Sequence, residues 1–235
     1  NVVIFAGGFG TRLMEHTKRI PKPLVKIGGK PILLHLIKHY EYYGFKNFII
    51  CLGYKGYLIK KYFRKKNFRN INIKFVNTGL KSLTALRLKK IEKYIKDDFF
   101  LTYGDGLSDI DIKKTFKEFK KINKIGLVAA VNPTERYGIL KLNKNNNVLR
   151  FSEKPFNSEH WINGGFFIFK KEFLKYLSTN RNEMLERKPL IDLTKKKQLF
   201  AFKHRGFWKA MDTLRDKVEF EKIWKSGKQK WKSKL

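Results

Sequence analysis

The fold is decided by a short N-terminal stretch, VVIFAGGFGTR, which runs from Val2 to Arg12. Its first five residues are apolar, as in a strand that is buried on both faces. The glycines that follow allow positive φ angles and let the backbone approach a ligand closely. Loops of this kind bind anions through backbone N–H groups, at the strand ends where open α/β sheets bind ligands. The stretch therefore predicts a phosphate-binding loop, with an ordinary glycine-rich turn as the alternative.

Beyond this stretch, short apolar runs alternate with longer amphipathic segments. This rhythm is typical of strand–helix–strand units and predicts a largely parallel sheet. The predicted strands are 2–6, 47–52, 73–77, 99–103 and 126–131, and the predicted helices are 31–43, 56–64, 83–94 and 111–121. Strands near 137–142, 148–152 and 165–169, joined by short loops, predict an antiparallel edge. A last helix is predicted at 213–224, after which Trp231 either holds the C-terminal segment to the body or a neighbouring subunit, or leaves it frayed.

The composition fits a globular protein. A chain of 235 residues with 42% apolar side chains can bury a core, and we expect a single domain spanning residues 1–235. No run approaches the ~20 apolar residues of a membrane span, and the first strand leaves no space for a signal peptide, so a cytoplasmic location is expected. One cysteine, Cys51, excludes a disulfide framework and lies in an apolar run where a reactive thiol is not expected.

The formal net charge of +33 leaves two explanations open. A strongly basic chain suits nucleic acid or another polyanion as a partner. Most of the 53 basic residues are Lys spread along the chain, however, whereas proteins that read bases and phosphates favour clustered Arg. The charge alone therefore predicts either polyanion binding or a bias in composition.

Two acidic residues stand where a metal ion could be held on substrate phosphates. Asp105 follows a predicted strand and lies between two glycines, and Asp212 precedes the last predicted helix. One or two carboxylates are the usual protein contribution to a Mg²⁺ site. The alternatives are a turn-forming role for Asp105 and a helix N-cap for Asp212.

A third group of polar residues follows the predicted strands of the second half. Lys154, between an acid and a proline, could bind an anionic sugar phosphate, and Asn163, beside Gly164, could bind sugar hydroxyls. The alternatives are a salt-bridged surface lysine and a turn-forming asparagine. Among the histidines only His35 and His39 have ligand-like spacing, and without an acid nearby we expect them to be at the surface or partly packed.

Six segments of this sequence, taken together and in their order along the chain, closely resemble the sugar-phosphate nucleotidyltransferases. They are AGGFGTRL at 6–13, PKPLVKIGGKPIL at 21–33, TYGDG at 102–106, EKP at 153–155, INGGFF at 162–167 and FWKAMDTLRD at 207–216. The resemblance implies an α/β fold with a Rossmann-like mixed, mostly parallel sheet flanked by helices, of the nucleotide-diphospho-sugar transferase type. Within this family, FIICLGYKGYLIKKYF at 48–63 is most similar to members that use CTP and glucose 1-phosphate.

The resemblance also implies a reaction. CTP and α-D-glucose 1-phosphate would give CDP-glucose and pyrophosphate with Mg²⁺ as cofactor, in nucleotide-sugar biosynthesis for surface polysaccharide such as lipopolysaccharide O-antigen. A sugar-1-phosphate uridylyl- or thymidylyltransferase and a non-catalytic relative stay open as alternatives. The implied assembly is a homo-oligomer, with no specific nucleic-acid partner and no membrane insertion.

Roles for individual residues follow from the same resemblance. It implies metal binding by Asp105 and Asp212, catalysis by Arg12, Lys22 and Asp105, and sugar-phosphate binding by Lys154, Asn163 and Gly164. The implied nucleotide-binding residues are Ala6, Gly7, Gly8, Gly10, Thr11, Arg12, Lys22, Thr84, Arg87 and Gly104. Relatives commonly have Thr-Gly-Gly-Arg where this chain has Thr84, Ala85, Leu86 and Arg87, so we expect two additional side chains close to the base.

Overall fold

The structure is a computed structural model that describes residues 1–13, 17–65, 68, 70–133, 139–152 and 160–231. The strands are β1 (Val2–Ala6), β2 (Lys26–Ile27), β3 (Lys30–Pro31), β4 (Asn47–Leu52), β5 (Asn72–Asn77), β6 (Phe99–Tyr103), β7 (Gly106–Ser108), β8 (Gly126–Val131), β9 (Ile139–Leu142), β10 (Val148–Ser152), β11 (Ile162–Phe169), β12 (Leu199–His204) and β13 (Trp208–Ala210). The α-helices are α1 (Ile32–Tyr42), α2 (Gly56–Arg64), α3 (Thr84–Lys90), α4 (Ile112–Lys121), α5 (Lys188–Lys195) and α6 (Leu214–Lys225).

Seven of these strands form the central sheet, in the order β12-β8-β11-β6-β1-β4-β5. All neighbours pair in parallel except β11, which is antiparallel to both β6 and β8. The predicted mixed, mostly parallel sheet is confirmed. The predicted antiparallel edge is wrong, because β11 lies inside the sheet, where its run of buried residues from Gly164 to Phe169 covers both faces. β9 and β10 pair with each other as a separate two-stranded sheet.

Two apolar clusters cover the two faces of the sheet. Val2 and Ile4 of β1 belong to one cluster and Val3 and Phe5 to the other, as the alternation of side chains along a strand requires. Cys51 lies in the second cluster, where burial raises the pKa of its thiol to about 12. A thiol in that environment is not a nucleophile at neutral pH, as the sequence predicted.

The two histidines of α1 are buried, so the expectation of surface or partly packed side chains is wrong. His35 is 0% and His39 1% exposed, and each Nε2 contacts a backbone oxygen, of Ile27 at 2.8 Å and of Ile110 at 2.9 Å. The indole N–H of Trp231 donates to His35 Nδ1 at 3.2 Å, which leaves the ring proton on Nε2. Trp231 thereby holds the C-terminal segment to the body, which is one of the three alternatives predicted for it.

Within the part of the chain that the structure describes, no helix has the length and apolar character that crossing a bilayer requires.

Candidate functional site

The glycine-rich segment after β1 forms part of the wall of a cavity of about 330 Å³. Of its glycines, Gly10 alone has a positive φ, of 65°, so the expectation for Gly7 and Gly8 is wrong. Gly7 is required for close approach, because a Cβ there would lie 2.3 Å from Arg87 Nη1 and 2.8 Å from the backbone nitrogen of Gly53. All ten predicted nucleotide-binding residues line this cavity, from Ala6 at the end of β1 to Gly104 after β6.

Lys22 is at the centre of the charges in the cavity. Its Nζ lies 2.7 Å from Asp105 Oδ2 and 2.8 Å from Asp212 Oδ1, and Arg12 Nη1 lies 2.9 Å from Asp212 Oδ2. Burial lowers the pKa of Lys22, but the two carboxylates outweigh burial and hold this pKa above its usual value. The Lys22 side chain is 10% exposed and that of Arg12 is 72% exposed, so one cation is fixed in the wall while the other lies at the rim.

A short antiparallel ribbon of β7 and β13 brings the two carboxylates together from distant parts of the chain. Gly106 pairs with Ala210, and Met211, the residue after β13, donates its N–H to the backbone oxygen of Asp105 at 2.9 Å. Asp105 is in the turn between β6 and β7, which belong to different sheets. The adjacent Gly104 donates its N–H to the Phe5 oxygen at 3.0 Å, which fixes the turn to the end of β1.

Asp212 is not the N-cap of the last helix, so that alternative is wrong. Thr213 caps α6, and Asp216 completes a capping box by accepting from the backbone nitrogens of Thr213 at 2.8 Å and Asp212 at 3.1 Å. Burial raises the pKa of Asp216, but hydrogen bonds from Thr213 and the charge of Lys209 outweigh burial and lower this pKa below its usual value. The capping box fixes the Asp212 backbone and leaves the Asp212 carboxylate to the two cations.

Arg87 is buried and binds protein oxygen atoms. Its guanidinium donates to the Gly7 oxygen at 3.0 Å, to Leu52 at 3.1 Å, to Leu80 at 3.3 Å and to Thr78 Oγ1 at 2.7 Å. Burial lowers the pKa of Arg87, although an arginine stays charged in proteins. The side chain therefore ties the glycine loop to the ends of β4 and β5, and the direct contact with a nucleotide that the resemblance implies for Arg87 stays a prediction.

The segment before α3 forms another part of the wall, through residues 80–84, with Met184 beside it. Ala85 is 1% exposed and packs into the second apolar cluster. Among the described residues, neither Ala85 nor Leu86 lines the cavity. Neither side chain therefore forms part of this cavity wall, and the expectation that they lie close to the base stays a prediction.

A smaller cavity of about 70 Å³ adjoins the first and shares Tyr103 and Asp105 with it. Asn163 and Gly164 line it, and the Gly164 oxygen accepts from Trp208 Nε1 at 2.7 Å. Asn163 lies within β11, at an irregularity of the strand pairing, and its Oδ1 accepts from the Gly165 N–H at 2.8 Å, which is the side-chain-to-backbone contact of the turn-forming interpretation. Lys154, the third predicted sugar-phosphate ligand, lies outside the described residues.

Sequence reasoning missed two residues that organise this region, Tyr103 and Glu186. The Glu186 carboxylate accepts hydrogen bonds from the hydroxyls of Tyr103 and Thr84. Tyr103 stands next to the Gly-Asp-Gly segment, which is a usable signal. Nothing in the sequence around Glu186 marks it, because its role depends on a contact with a distant segment.

Cations and paired carboxylates at strand ends, beside a cavity of nucleotide size, are the arrangement that chemistry on nucleotide phosphates requires. The nucleotidyl transferase family model matches residues 1–221, and the chain belongs to this family. It is 42% identical to glucose-1-phosphate cytidylyltransferase from Salmonella typhimurium, over 98% of each chain. Its identity to probable glucose-1-phosphate cytidylyltransferase from Bacillus subtilis is 38%, also over 98% of each chain. The structure of HddC from Yersinia pseudotuberculosis complexed with GMP-PN superimposes with a TM-score of 0.73 at 28% identity, over 95% of this chain and 98% of that one.

Proposed function

We propose that this protein transfers the cytidylyl group of CTP to α-D-glucose 1-phosphate and releases pyrophosphate, with CDP-glucose as the product. The similarity to glucose-1-phosphate cytidylyltransferases extends over almost the whole chain. In the reaction, an oxygen of the sugar phosphate forms a bond to the α-phosphorus as the bond from that phosphorus to the pyrophosphate oxygen breaks. A phosphate monoester is already a nucleophile at neutral pH, so the protein has to align and neutralise rather than abstract a proton.

The observation that carries this proposal is the junction of the two cavities. Tyr103 and Asp105 line both of them, and Lys22 contacts Asp105 at that junction. A nucleotide in the larger cavity and a sugar phosphate in the smaller one would therefore meet at Asp105. Two substrates held this way react as if in one molecule, which supplies a large part of the rate enhancement.

The direction of the nucleotide follows from the chemistry of the larger cavity. The glycine loop, Arg12 and Lys22 provide positive charge and backbone N–H groups for a triphosphate. The wall at 80–84 and Met184 offers apolar side chains, hydroxyls and backbone groups, which suit a base. We therefore orient the triphosphate toward Lys22 and the cytosine toward Thr84.

The donor set at the junction fits Mg²⁺. Asp105 and Asp212 both accept from the same Lys22 Nζ, so their oxygen atoms converge, and carboxylate oxygens are the hard ligands that Mg²⁺ prefers. Among the residues that the structure describes, no group of three or more metal-ligating side chains occurs, so phosphate oxygens and water would complete the coordination. When bound, Mg²⁺ would supply charge that stabilises the pentavalent transition state and the leaving group.

The chain's own cations act on the same charge. Lys22 and Arg12 would bind the β- and γ-phosphates and neutralise the pyrophosphate as it leaves. Arg12, exposed at the rim, can exchange its contact with Asp212 for a phosphate when a nucleotide enters. Lys22 is held by two carboxylates and keeps its position throughout.

The sugar side is less densely polar. Asn163 and Gly164 line the smaller cavity and would bind the hexose hydroxyls. We also propose, from the family resemblance alone, that Lys154 binds the sugar phosphate and that the protein works as a homo-oligomer. The cytoplasmic location and the role in surface polysaccharide synthesis stay predictions from the sequence.

The proposal is tested by incubating the purified protein with glucose 1-phosphate, Mg²⁺ and one nucleoside triphosphate, and measuring pyrophosphate. CTP should give the fastest release, and release with UTP or dTTP that outpaces CTP would refute the base assignment. No release with any of the three would favour the non-catalytic alternative.

Replacing the carboxylates one at a time tests the junction. We expect Asp105→Asn and Asp212→Asn each to lower kcat at least about 100-fold, as loss of a transition-state charge contact does. Asp192→Asn is the matched control, because Asp192 is paired with Lys188 within α5 and is not among the residues that line either cavity. Variants that fold and retain full turnover would exclude these two residues from the catalytic site.

A further inference from the structure

We infer that Thr84 selects the nucleobase by presenting a hydrogen-bond acceptor to it, and that Glu186 fixes Thr84 in this state. The inference rests on the proposed function, because it assumes that a pyrimidine nucleotide occupies the larger cavity. Thr84 lines that cavity and is the first residue of α3. Glu186 lies behind it, in the segment before α5.

The hydroxyl of Thr84 has two protein partners of opposite kinds. It donates its hydrogen to Glu186 Oε2 at 3.2 Å, and it accepts from the backbone N–H of Leu185 at 2.7 Å. A hydroxyl has one hydrogen and two lone pairs. Once these two bonds are made, the remaining capacity of Thr84 Oγ1 is a lone pair.

Glu186 fixes the direction of the hydrogen bond that it shares with Thr84. An ionised carboxylate can only accept hydrogen bonds, so Thr84 cannot reverse its bond to Glu186 and turn its hydrogen toward the cavity without losing that bond. The second Glu186 oxygen accepts from the hydroxyl of Tyr103, which holds the carboxylate in place. Glu186 is therefore a positioning residue, and Thr84 is the residue that faces the base.

The surrounding backbone holds the two residues in register. Asn182 accepts from the Leu83 N–H at 2.7 Å and donates to the Lys81 oxygen at 2.9 Å. The Ala85 N–H donates to the Glu183 oxygen at 3.1 Å, and Leu185 is fully buried. These hydrogen bonds join the segment 182–186 to the start of α3, so the Thr84 hydroxyl has little freedom to reorient.

Cytosine and uracil differ in the group that such an acceptor meets. The edge of cytosine carries an exocyclic amino group, which donates, whereas uracil and thymine carry a carbonyl oxygen at that place, which accepts. An acceptor-only Thr84 would pair with the amino group of CTP and repel the carbonyl of UTP or dTTP. Sites that leave a buried polar group unpaired discriminate strongly against the wrong ligand.

Glu186→Gln is the decisive variant because it changes one oxygen to nitrogen with little change of shape. The glutamine oxygen can still accept from Tyr103, while its amide nitrogen donates to Thr84 and releases the threonine hydrogen toward the cavity. We expect the ratio of kcat/KM for CTP to kcat/KM for UTP to fall about tenfold or more, the value of one reversed hydrogen bond. Thr84→Val, which lacks the hydroxyl, should lower the same ratio by reducing kcat/KM for CTP. Thr84→Ser keeps the hydroxyl and should preserve the ratio.

The control is Glu183→Gln, on the same segment. The Glu183 side chain pairs with Arg181 at 3.4 Å, so this variant removes an equal charge and should leave the ratio unchanged. A ratio within twofold of the wild type in both Glu186→Gln and Thr84→Val would overturn the inference. Failure of the proposed function gives a different result, since the wild type would then not prefer CTP at all. If Thr84→Val does not fold, Glu186→Gln decides.

Discussion

Arg87→Met should lower the free energy of unfolding by about 3 kcal/mol while nearly conserving side-chain volume. The guanidinium makes four hydrogen bonds to protein oxygens, and a hydrogen bond from a charged group contributes about 1.5–3 kcal/mol. The loss is smaller than the sum, because the Gly7 oxygen keeps its bond from Tyr54 at 3.1 Å and the Leu52 oxygen keeps its bond from Thr78 at 3.0 Å. Replacing the buried guanidinium with an apolar side chain also removes the cost of burying a charge, which recovers part of the remaining loss in the free energy of unfolding.

Thermal unfolding measures this change directly. For a chain of this size about 3 kcal/mol corresponds to a fall in Tm of roughly 6–12 °C. Arg87→Lys should recover less than half of the loss, since one ammonium cannot span the same four acceptors. Arg215→Met is the control, because Arg215 is 79% exposed and its pair with Glu219 should contribute less than about 1 kcal/mol.

The reasoning is refuted if Arg87→Met unfolds within 2 °C of the wild type. The same variant distinguishes two roles for Arg87: holding the glycine loop through hydrogen bonds, and binding the nucleotide directly. If Arg87 acts by holding the glycine loop, CTP affinity and stability should fall together in this variant. A variant with unchanged Tm and lost CTP affinity would instead identify Arg87 as a ligand residue.

Two further predictions concern the C-terminal segment. Trp231→Ala should lower the free energy of unfolding by about 3–5 kcal/mol, as the truncation of large aromatic side chains in cores does. Chemical denaturation measures this value, and a loss below about 1 kcal/mol would show that this side chain does not hold the segment. Burial is the largest influence on His35 and lowers its pKa, whereas the hydrogen bond to the Ile27 backbone oxygen and the charge of Glu221 oppose this shift. The native state therefore resists protonation that the unfolded chain accepts near pH 6.5, so stability from this site is full above that pH and falls below it. The stability gap between wild type and His35→Gln should narrow from pH 7.5 to pH 5.5, and a constant gap would contradict the assignment.

The first half of the sheet was predictable because its signals are local. β1, β4 and β6 are apolar runs followed by glycine, and they appear at the predicted residues. β12 was not predicted: its six residues LFAFKH are all exposed or half-buried, and they follow a lysine-rich segment. Its place in the sheet depends on pairing with β8, which no local pattern reveals.

The residues of the site were predictable as types and positions, but their relations were not. Asp105 and Asp212 stood out as acids at element ends, yet only the β7–β13 pairing brings them to the same lysine. The burial of His35 was missed because a polar residue at helical spacing resembles a solvent-exposed one until its partner, Trp231, folds back onto it.

The high positive charge is consistent with either explanation drawn from the sequence. A polyanion-binding role stays a hypothesis, and a gel shift at physiological salt would test it. Arg12 and Lys22, the cations at the candidate site, already have anionic partners in Asp105 and Asp212.

The β7–β13 ribbon has a consequence for the order in which the protein acquires activity during synthesis. Chains emerge from the ribosome with the N-terminal part first, so the glycine loop, Lys22 and Asp105 are made long before Asp212. A nascent chain can form β1, β4 and β6 and still lack the second carboxylate until β13 has paired with β7. Under the role proposed above for Asp212, products of premature termination before β13 should therefore be unable to consume nucleotide, even where they resemble the folded enzyme in their first strands.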